Sequence, residues 1–318
     1  MIDFVGKRYW YFLFSLLIIV PGTISLLIFG LRLGIDFTGG TLWRMRFEQP
    51  VQASQLLPVL AELGHGEAQI QSSENNTLLV RTKEIPAPPP TATEEERQTL
   101  EKERIATAVR GRLGPFVEES FESVGPAIGT EIAQRSVLAI TLASLGILAY
   151  VAFAFRKMPG PFRYGACAIA ALLHDALLTL GVFSILGVLF HYEVSALFVT
   201  AVLTTLGFSV HDTIVVFDRI RENMTRRAGE NFEQIVNHSL AQTLVRSLST
   251  SLTVLFTLLA IFLFGGVSTR EFALALLIGI ISGTYSSIFN ASQLLIVWET
   301  GEWRNWFGGR GATVTRAA

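Results

Sequence analysis

The sequence is poor in cysteine and in charged residues. Its one cysteine, Cys167, lies in an apolar stretch, which excludes a disulfide framework within the chain and a metal site built on thiolates. Charged residues occupy only 16% of the 318 positions, whereas 50% are hydrophobic. This composition is typical of a membrane protein and argues against a soluble domain. The formal net charge of -1 indicates no particular class of partner, and no nucleic acid is expected among them.

Six apolar runs are long enough to cross about 30 Å of hydrocarbon, and only two of them contain an acidic residue. The runs cover residues 9–31, 136–155, 164–190, 194–217, 247–267 and 272–298. The first run is too long for a signal peptide and lacks a small-residue cleavage site, so we interpret it as a retained helix. The sequence therefore predicts an α-helical membrane protein, divided into a first helix (1–35), an extracytoplasmic domain (36–133), helices two to six (134–298) and a cytoplasmic tail (299–318).

Lysine and arginine are concentrated in the loops on one side of the predicted helices. On that side lie Lys7, Arg8, Arg156, Lys157, Arg163, Arg219, Arg221, Arg226, Arg227, Arg304, Arg310 and Arg316. The two short loops on the other side contain only Arg270. Since short positive loops stay in the cytoplasm, we expect both termini there and the long insert outside.

The insert at 36–133 has the patterning of a small folded domain. Alternation predicts strands at 41–47, 67–73, 77–82 and 116–124, and helical spacing predicts helices at 51–63 and 93–113. Thr93 and Glu96 fit a capping box at the start of the second helix. The order βαββαβ predicts a ferredoxin-like α+β domain. No stretch of it resembles a catalytic signature, so we do not expect an enzyme.

A glycine-rich stretch, GIDFTGGT, joins the first predicted helix to this domain. Gly34, Gly39 and Gly40, placed around Asp36, permit positive φ angles and close backbone approach. One interpretation is a tight junction between the helix and the domain. The other, a phosphate cradle, is rejected because no P-loop lysine follows and the glycine spacing differs.

Asp212 lies inside the fourth apolar run. An ionised aspartate at the centre of a membrane helix costs roughly 2.5 to 3.5 kcal/mol on insertion scales, so we expect it to face a partner or a water-filled path. On the next run Arg246, Thr250, Thr253 and Thr257 recur at helical spacing, and Arg246 would reach the depth of Asp212. A paired guanidinium would keep the carboxylate charged, and separation would let it take a proton. The sequence leaves two interpretations, a switchable proton site or a static pair that fixes two helices.

Two adjacent His–Asp pairs, His211–Asp212 and His174–Asp175, lie within apolar runs. The ring of His211 would project about 100° away from Asp212, so packing or a hydrogen bond is as reasonable as proton transfer. His174 and Asp175 would either extend a proton path or bond to a neighbouring helix. Zinc is a poor explanation, because adjacent side chains on a helix diverge and no cysteine supports them. We therefore expect no metal and no cofactor.

Two further patterns concern packing. Gly279, Gly283 and Ser287 form a small face that predicts a close helix contact in the sixth run. The arginine-rich stretch after the fourth run has the pattern of a partly amphipathic helix, and Phe232, Ile235 and Val236 are expected to touch the membrane surface.

Several motifs, in this order and topology, resemble the SecD/SecF family of protein-export membrane proteins, a branch of the RND transporter superfamily. The motifs are GIDFTGGT (34–41), VGPAIG (124–129), the His174–Asp175 pair, GFSVHDTIVVFDRIREN (207–223), QTLVRSLSTSLT (242–253) and GTYSSIFNAS (283–292). The resemblance covers almost the whole chain. Each motif alone would be weak, but together they are specific.

The resemblance implies a function in protein export. It implies a pseudo-symmetric twelve-helix unit with SecD in the bacterial inner membrane, which uses the proton gradient to help draw a preprotein from the SecY-SecE-SecG translocon after SecA has pushed it. It also implies that Asp212 and Arg246 match the proton-conducting residues of the family. Departures from the family pattern are His211 in place of Asn, Phe208 in place of Tyr, and Asn290 and Gln293 where an apolar residue and Pro are common.

Two other functions remain as alternatives at this point. Related transporters export small molecules or lipids with the same membrane design, which would require a ligand cleft in the outer domain. An assembly scaffold without transport would depend on the small face of the sixth helix and not on Asp212. Sodium also remains open as the coupling ion in place of the proton.

Overall fold

The computed structural model describes residues 3–72, 75–86, 100–156 and 160–302, and the chain forms two compact units in it. The first, which we call the α+β unit, is Leu33–Leu138. The second, the membrane unit, combines the chain before residue 33 with the chain after residue 138.

The α+β unit is an antiparallel sheet with helices packed against it. Its strands are β1 (Gly40–Phe47), β2 (Gln69–Ser72), β3 (Thr77–Thr82) and β4 (Phe116–Val124), and its helices are α2 (Ile35–Thr38), α3 (Ala53–Glu62) and α4 (Glu101–Leu113). The strand order is β2-β3-β1-β4, with every neighbouring pair antiparallel. The predicted βαββαβ arrangement is therefore confirmed. The capping box predicted for Thr93 and Glu96 lies outside the described residues.

The core of this unit follows from the alternation of β1. Trp43, Met45 and Phe47 are buried and point to the same side of the strand. Ile105 of α4 and Leu56 of α3 are buried in the same cluster. The sheet is thus apolar on the face that the helices cover, as one-sided antiparallel sheets require.

The membrane unit consists of long apolar helices. They are α1 (Arg8–Phe29), α5 (Pro126–Phe155, which begins in the α+β unit), α6 (Pro161–Phe190), α7 (Ala196–Arg226), α8 (Phe232–Phe264), α9 (Val267–Ser286), a π-helical segment (Ser287–Ala291) and α10 (Ser292–Thr300). Among the described residues, six helices are long and apolar enough to cross a membrane, and the last of them combines α9, the π segment and α10. The prediction of six transmembrane helices is therefore confirmed.

Most of the stretch between the fourth and fifth apolar runs is helical, so its predicted helical character is confirmed. α7 continues past its apolar run to Arg226, and α8 already begins at Phe232, where Asn231 and Gln234 form a capping box. Ile235 and Val236 are buried in the membrane unit, and Val236 belongs to its main apolar cluster. The predicted contact of these two side chains with the membrane surface is wrong, because the amphipathic stretch packs its apolar face against the bundle.

Small residues bring α9 and α7 into close contact. A Cβ atom added to Gly283 would lie 2.9 Å from the Cβ of Ser209, so a larger side chain would push the two helices apart. The expected small face is therefore a packing face. Just after it, the π-helical segment interrupts the sixth span, a feature that often occurs at functional sites.

Candidate functional site

Asp212 is buried between α7 and α8, with 6% of its surface exposed. Ser247 of α8 donates a hydrogen bond of 3.0 Å to its Oδ1. Its Oδ2 is buried and has no hydrogen-bond partner among the residues that the structure describes. A buried carboxylate with one unpartnered oxygen is costly when charged, and it can accept a proton there without losing an existing bond.

Arg246, the predicted partner, lies on the exposed side of α8. It is near enough to act electrostatically on Asp212, but the described residues contain no ion pair between the two. Its neighbour Ser247 occupies the place beside the carboxylate instead. The proton-relay role of Asp212 and Arg246 therefore stays a prediction.

Thr250 and Thr253 also lie on the exposed side of α8, as does Thr257. Their hydroxyls bond to carbonyls of their own helix, from Thr250 to Arg246 at 2.9 Å and from Thr253 to Ser249 at 2.8 Å. These threonines therefore have no hydrogen bond to Asp212 in the described structure, and a supporting role of Thr250 and Thr253 in the relay stays a prediction. The buried polar stripe of α8 consists of Ser239, Thr243, Ser247 and Ser251, and Ser251 bonds to Thr284 at 2.6 Å.

His211 is exposed although its neighbour Asp212 is buried. The two side chains therefore leave α7 on different sides, as the 100° step of a helix requires. The structure gives His211 no direct contact with the carboxylate among the described residues.

Asp175 is almost completely buried in the membrane unit, with 2% of its surface exposed. Its four hydrogen-bond partners come from three helices. They are Ser209 of α7 (2.6 Å), Ser282 and Ser286 of α9 (both 2.7 Å) and the adjacent His174 (3.0 Å). These three serines were not predictable as partners of Asp175, since the spacing of residues within one helix does not show which serine on another helix the carboxylate will meet.

His174 connects Asp175 to the first helix. Its Nε2 lies 3.0 Å from the hydroxyl of Ser15 in α1, and its Nδ1 faces Asp175. Ser15 in turn bonds to the side-chain amide of Asn290 in the π segment. The two aspartates of the apolar runs thus have different surroundings. Both carboxylate oxygens of Asp175 have hydrogen-bond partners, whereas only one oxygen of Asp212 has a partner among the described residues.

The junction motif forms a tight turn at the entry to the α+β unit. Gly34 caps the short helix that contains Asp36, and Gly39 and Gly40 have φ angles of 71° and 112°. A Cβ atom on Gly129 would lie 2.9 Å from the backbone nitrogen of Gly39. The backbones of Gly39 and Gly129 therefore touch inside the α+β unit, and the function of the motif as a junction stays a prediction.

A cavity of about 380 Å³ lies beside this junction. Its lining includes the charged side chains of Glu67, Arg81, Lys83 and Glu84. Pockets for lipids or drug-like molecules are predominantly apolar, so this lining does not suit such a ligand. Among the described residues, no three His, Cys, Asp or Glu side chains are grouped in a way that could hold a metal ion.

Comparisons with known proteins agree on one family. Residues 105–301 match the family model described as "Protein export membrane protein SecD/SecF, C-terminal", and residues 24–51 match the "SecD/SecF GG Motif". The chain is 58% identical over 304 residues to the protein translocase subunit SecF of Thermobaculum terrenum, covering 94% of each chain. It is 47% identical to the protein translocase subunit SecF of Anaerolinea thermophila, covering 96% of this chain and 97% of that one.

A solved structure shares the fold. The crystal structure of SecDF, a translocon-associated membrane protein from Thermus thermophilus, superposes with a TM-score of 0.75 and 36% sequence identity. The alignment covers 94% of this chain and 39% of the SecDF chain. The chain therefore spans about two fifths of the length of that solved protein.

Proposed function

The chain belongs to the SecD/SecF family of protein export membrane proteins, and we propose that it acts as the SecF-type subunit beside a SecD-type partner. The SecF relatives match it over nearly their whole length, which supports an accessory function in protein export. The Thermus protein carries additional sequence in one chain, and a separate SecD-type protein would supply that part here. The translocon SecY-SecE-SecG, SecA and the exported preprotein are the further partners of this proposal.

The proposed energy source is the movement of protons through Asp212. The observation that carries this step is the buried Oδ2 of Asp212, which has no partner among the described residues, while Oδ1 is held by Ser247. A proton moving down a potential of 100 mV releases about 2.3 kcal/mol. Binding of that proton removes the charge from a carboxylate that is costly to keep ionised in the bundle.

Arg246 gives the protonation a mechanical consequence in this proposal. Its attraction for the charged Asp212 disappears when the carboxylate is neutral, so the position of α8 relative to α7 depends on the proton. Arg246 is exposed on α8, where it is also accessible to a partner subunit. We place the relay at that interface, with lipid or SecD-type helices covering the exposed apolar residues of α8, such as Val245 and Phe256.

The junction at Gly39 and Gly40 is the proposed route of this movement to the α+β unit. A tight turn without side chains transmits displacement better than a long linker would. Both termini are proposed to be cytoplasmic and the α+β unit to lie outside the inner membrane, because of the distribution of arginine and lysine. The charged lining of the cavity does not support the alternative of a lipid or small-molecule exporter.

The proposal is tested by proton flux and preprotein export in vesicles that contain the chain with its SecD-type partner and the translocon. Asp212→Asn should abolish both proton flux and the gradient-dependent part of export. Asp218→Asn is the matched control, because Asp218 lies on the same helix but is exposed and paired with Arg221. Unchanged flux in Asp212→Asn would refute the relay, and intact export would favour a scaffold. Exchange of sodium for protons identifies the coupling ion.

A further inference from the structure

His174 stands between two hydrogen-bonding groups deep in the membrane unit. Its Nδ1 lies 3.0 Å from Oδ1 of Asp175, and its Nε2 lies 3.0 Å from Oγ of Ser15. A neutral imidazole has one donor and one acceptor nitrogen, whereas an imidazolium has two donors. The protonation state and the tautomer of the ring therefore depend on whether each of its two neighbours donates or accepts a hydrogen bond.

Asp175 fixes the hydrogen on Nδ1. Its two oxygens accept hydrogen bonds from the hydroxyls of Ser209, Ser282 and Ser286, and His174 occupies the fourth acceptor position. Four donors fill the acceptor capacity of a carboxylate. Asp175 thus has no open position for a proton, and Nδ1 of His174 must donate to it. In the neutral ring Nε2 is then an acceptor, and the hydroxyl of Ser15 donates a hydrogen bond to it.

Asn290 offers Ser15 a second acceptor. The amide Oδ1 of Asn290 lies 3.2 Å from Oγ of Ser15, and its Nδ2 donates to the same oxygen at 2.9 Å. When Nε2 of His174 gains a proton, Ser15 can accept from the ring and turn its own hydrogen to Asn290. In the neutral state Oδ1 of Asn290 has no donor among the described residues, whereas in the imidazolium state each of these groups has a partner. The change needs only rotation of a hydroxyl hydrogen and no displacement of a heavy atom.

We propose that His174 is a second proton-binding group of the membrane unit. Asp175 accepts the hydrogen bond of its Nδ1, and the Ser15 hydroxyl rotates from His174 to Asn290 when Nε2 binds a proton. The uptake adds one proton to Nε2 and breaks no covalent bond. Before the uptake, Asp175 is a buried carboxylate without a positively charged partner. After it, His174 and Asp175 form a pair with no net charge, which is less costly inside a bilayer.

The surroundings of His174 contain few other titratable groups. Tyr285 of α9 stacks on the ring with a centroid distance of 6.5 Å, and its hydroxyl donates to the carbonyl of Tyr11 in α1. Asp175 is the charged group in contact with it on its own helix. Protonation would therefore tighten the contacts of α6 with α1 and the π segment, through Asp175, Ser15 and Asn290.

The test uses the full chain in lipid nanodiscs with ¹⁵N-labelled histidine. Solid-state NMR distinguishes the two neutral tautomers from the imidazolium, and His174→Gln identifies the signal among the five histidines. We expect the Nδ1–H tautomer at alkaline pH and an imidazolium signal that grows as the pH is lowered. An Nε2–H tautomer, or a ring that keeps one state from about pH 5 to pH 9, would overturn the proposal.

Two mild variants separate this site from general packing. Asn290→Leu keeps the volume but removes the second acceptor of Ser15, and Ser15→Ala removes the hydroxyl itself. Each should reduce the ratio of imidazolium to neutral ring at about pH 5 by roughly threefold or more, with the fold retained. An unchanged ratio in both variants would contradict the hydroxyl rotation. Because the readout is protonation of His174, failure here leaves the relay at Asp212 untouched.

Discussion

The hydroxyl of Ser247 donates to Oδ1 of Asp212 over 3.0 Å, and this bond links α8 to the buried acid of α7. Ser247→Ala would leave the carboxylate without a hydrogen-bond partner among the described residues. Since hydrogen bonds to charged groups contribute about 1.5–3 kcal/mol, we expect a loss of stability of that order and weaker export. Unfolding of the purified chain by SDS in mild micelles measures the difference. Ser249→Ala on the exposed side of α8 is the control and should have little effect.

Gly22 of α1 and Gly181 of α6 touch through their backbones. A Cβ atom on Gly181 would lie 2.8 Å from Cα of Gly22, which is closer than real Cβ contacts. We expect Gly181→Ala to separate the helices and to lower the free energy of unfolding by about 1–3 kcal/mol.

The matched control for that change is Gly207→Ala in α7. An added Cβ there would meet nothing within 4 Å, and alanine favours a helix more than glycine does. Its unfolding curve, measured in the same SDS titration, should be unchanged or slightly shifted towards stability. Equal losses in the two variants would contradict the close contact of α1 with α6.

Gly40 at the junction has a φ angle of 112°, and a Cβ atom there would lie 2.7 Å from the carbonyl oxygen of Thr82. Gly40→Ala therefore meets both backbone strain and a clash, and we expect a loss of about 1–3 kcal/mol or more. Hydrogen exchange of β1 and β3 in the full chain should accelerate. Gly111→Ala in α4 has open space and should slow or preserve exchange, so acceleration in both would count against the junction argument.

The pH dependence of the α+β unit includes a contribution from Glu62. Arg112 lies 2.6 Å away, and its hydrogen bond and charge lower the pKa of Glu62 below its ordinary value of 4.5. Because the pKa is lower in the folded state, the contribution is present above 4.5 and is lost as the pH falls through the folded-state pKa. The pair is exposed, so we expect a small effect that salt reduces.

The comparison of wild type with Glu62→Gln measures this contribution. Exchange of amide hydrogens in α3 and α4 should be slightly faster in the variant at neutral pH, and the two proteins should converge in acid. A difference that grows as the pH falls would show that the sign of the pKa shift is wrong.

Much of the architecture could be predicted because it depends on local patterns. Apolar run length predicts the six spans, and alternation with helical spacing predicts the order of β1 to β4. The bounds of α7 and α8 were not predictable from hydropathy, since both helices continue into polar sequence. Asn231 and Gln234 were the available signal for the start of α8, because their spacing is that of a capping box.

The surroundings of the two aspartates were less predictable. On α8 two polar faces recur at helical spacing, Ser247 with Ser251 and Thr250 with Thr253, and spacing does not tell which one is buried. Packing against α7 decides in favour of the serines. The network of Asp175 joins α6, α7 and α9, and a pattern along one helix contains no information about such contacts.

The most direct test of the central claim is infrared difference spectroscopy of the chain reconstituted with its SecD-type partner. On acidification, a carbonyl band of a protonated carboxyl group should appear, and it should be absent from Asp212→Asn but present in Asp218→Asn. Persistence of the band in Asp212→Asn, or its absence from wild type at every pH that supports export, would contradict the assignment of proton binding to Asp212.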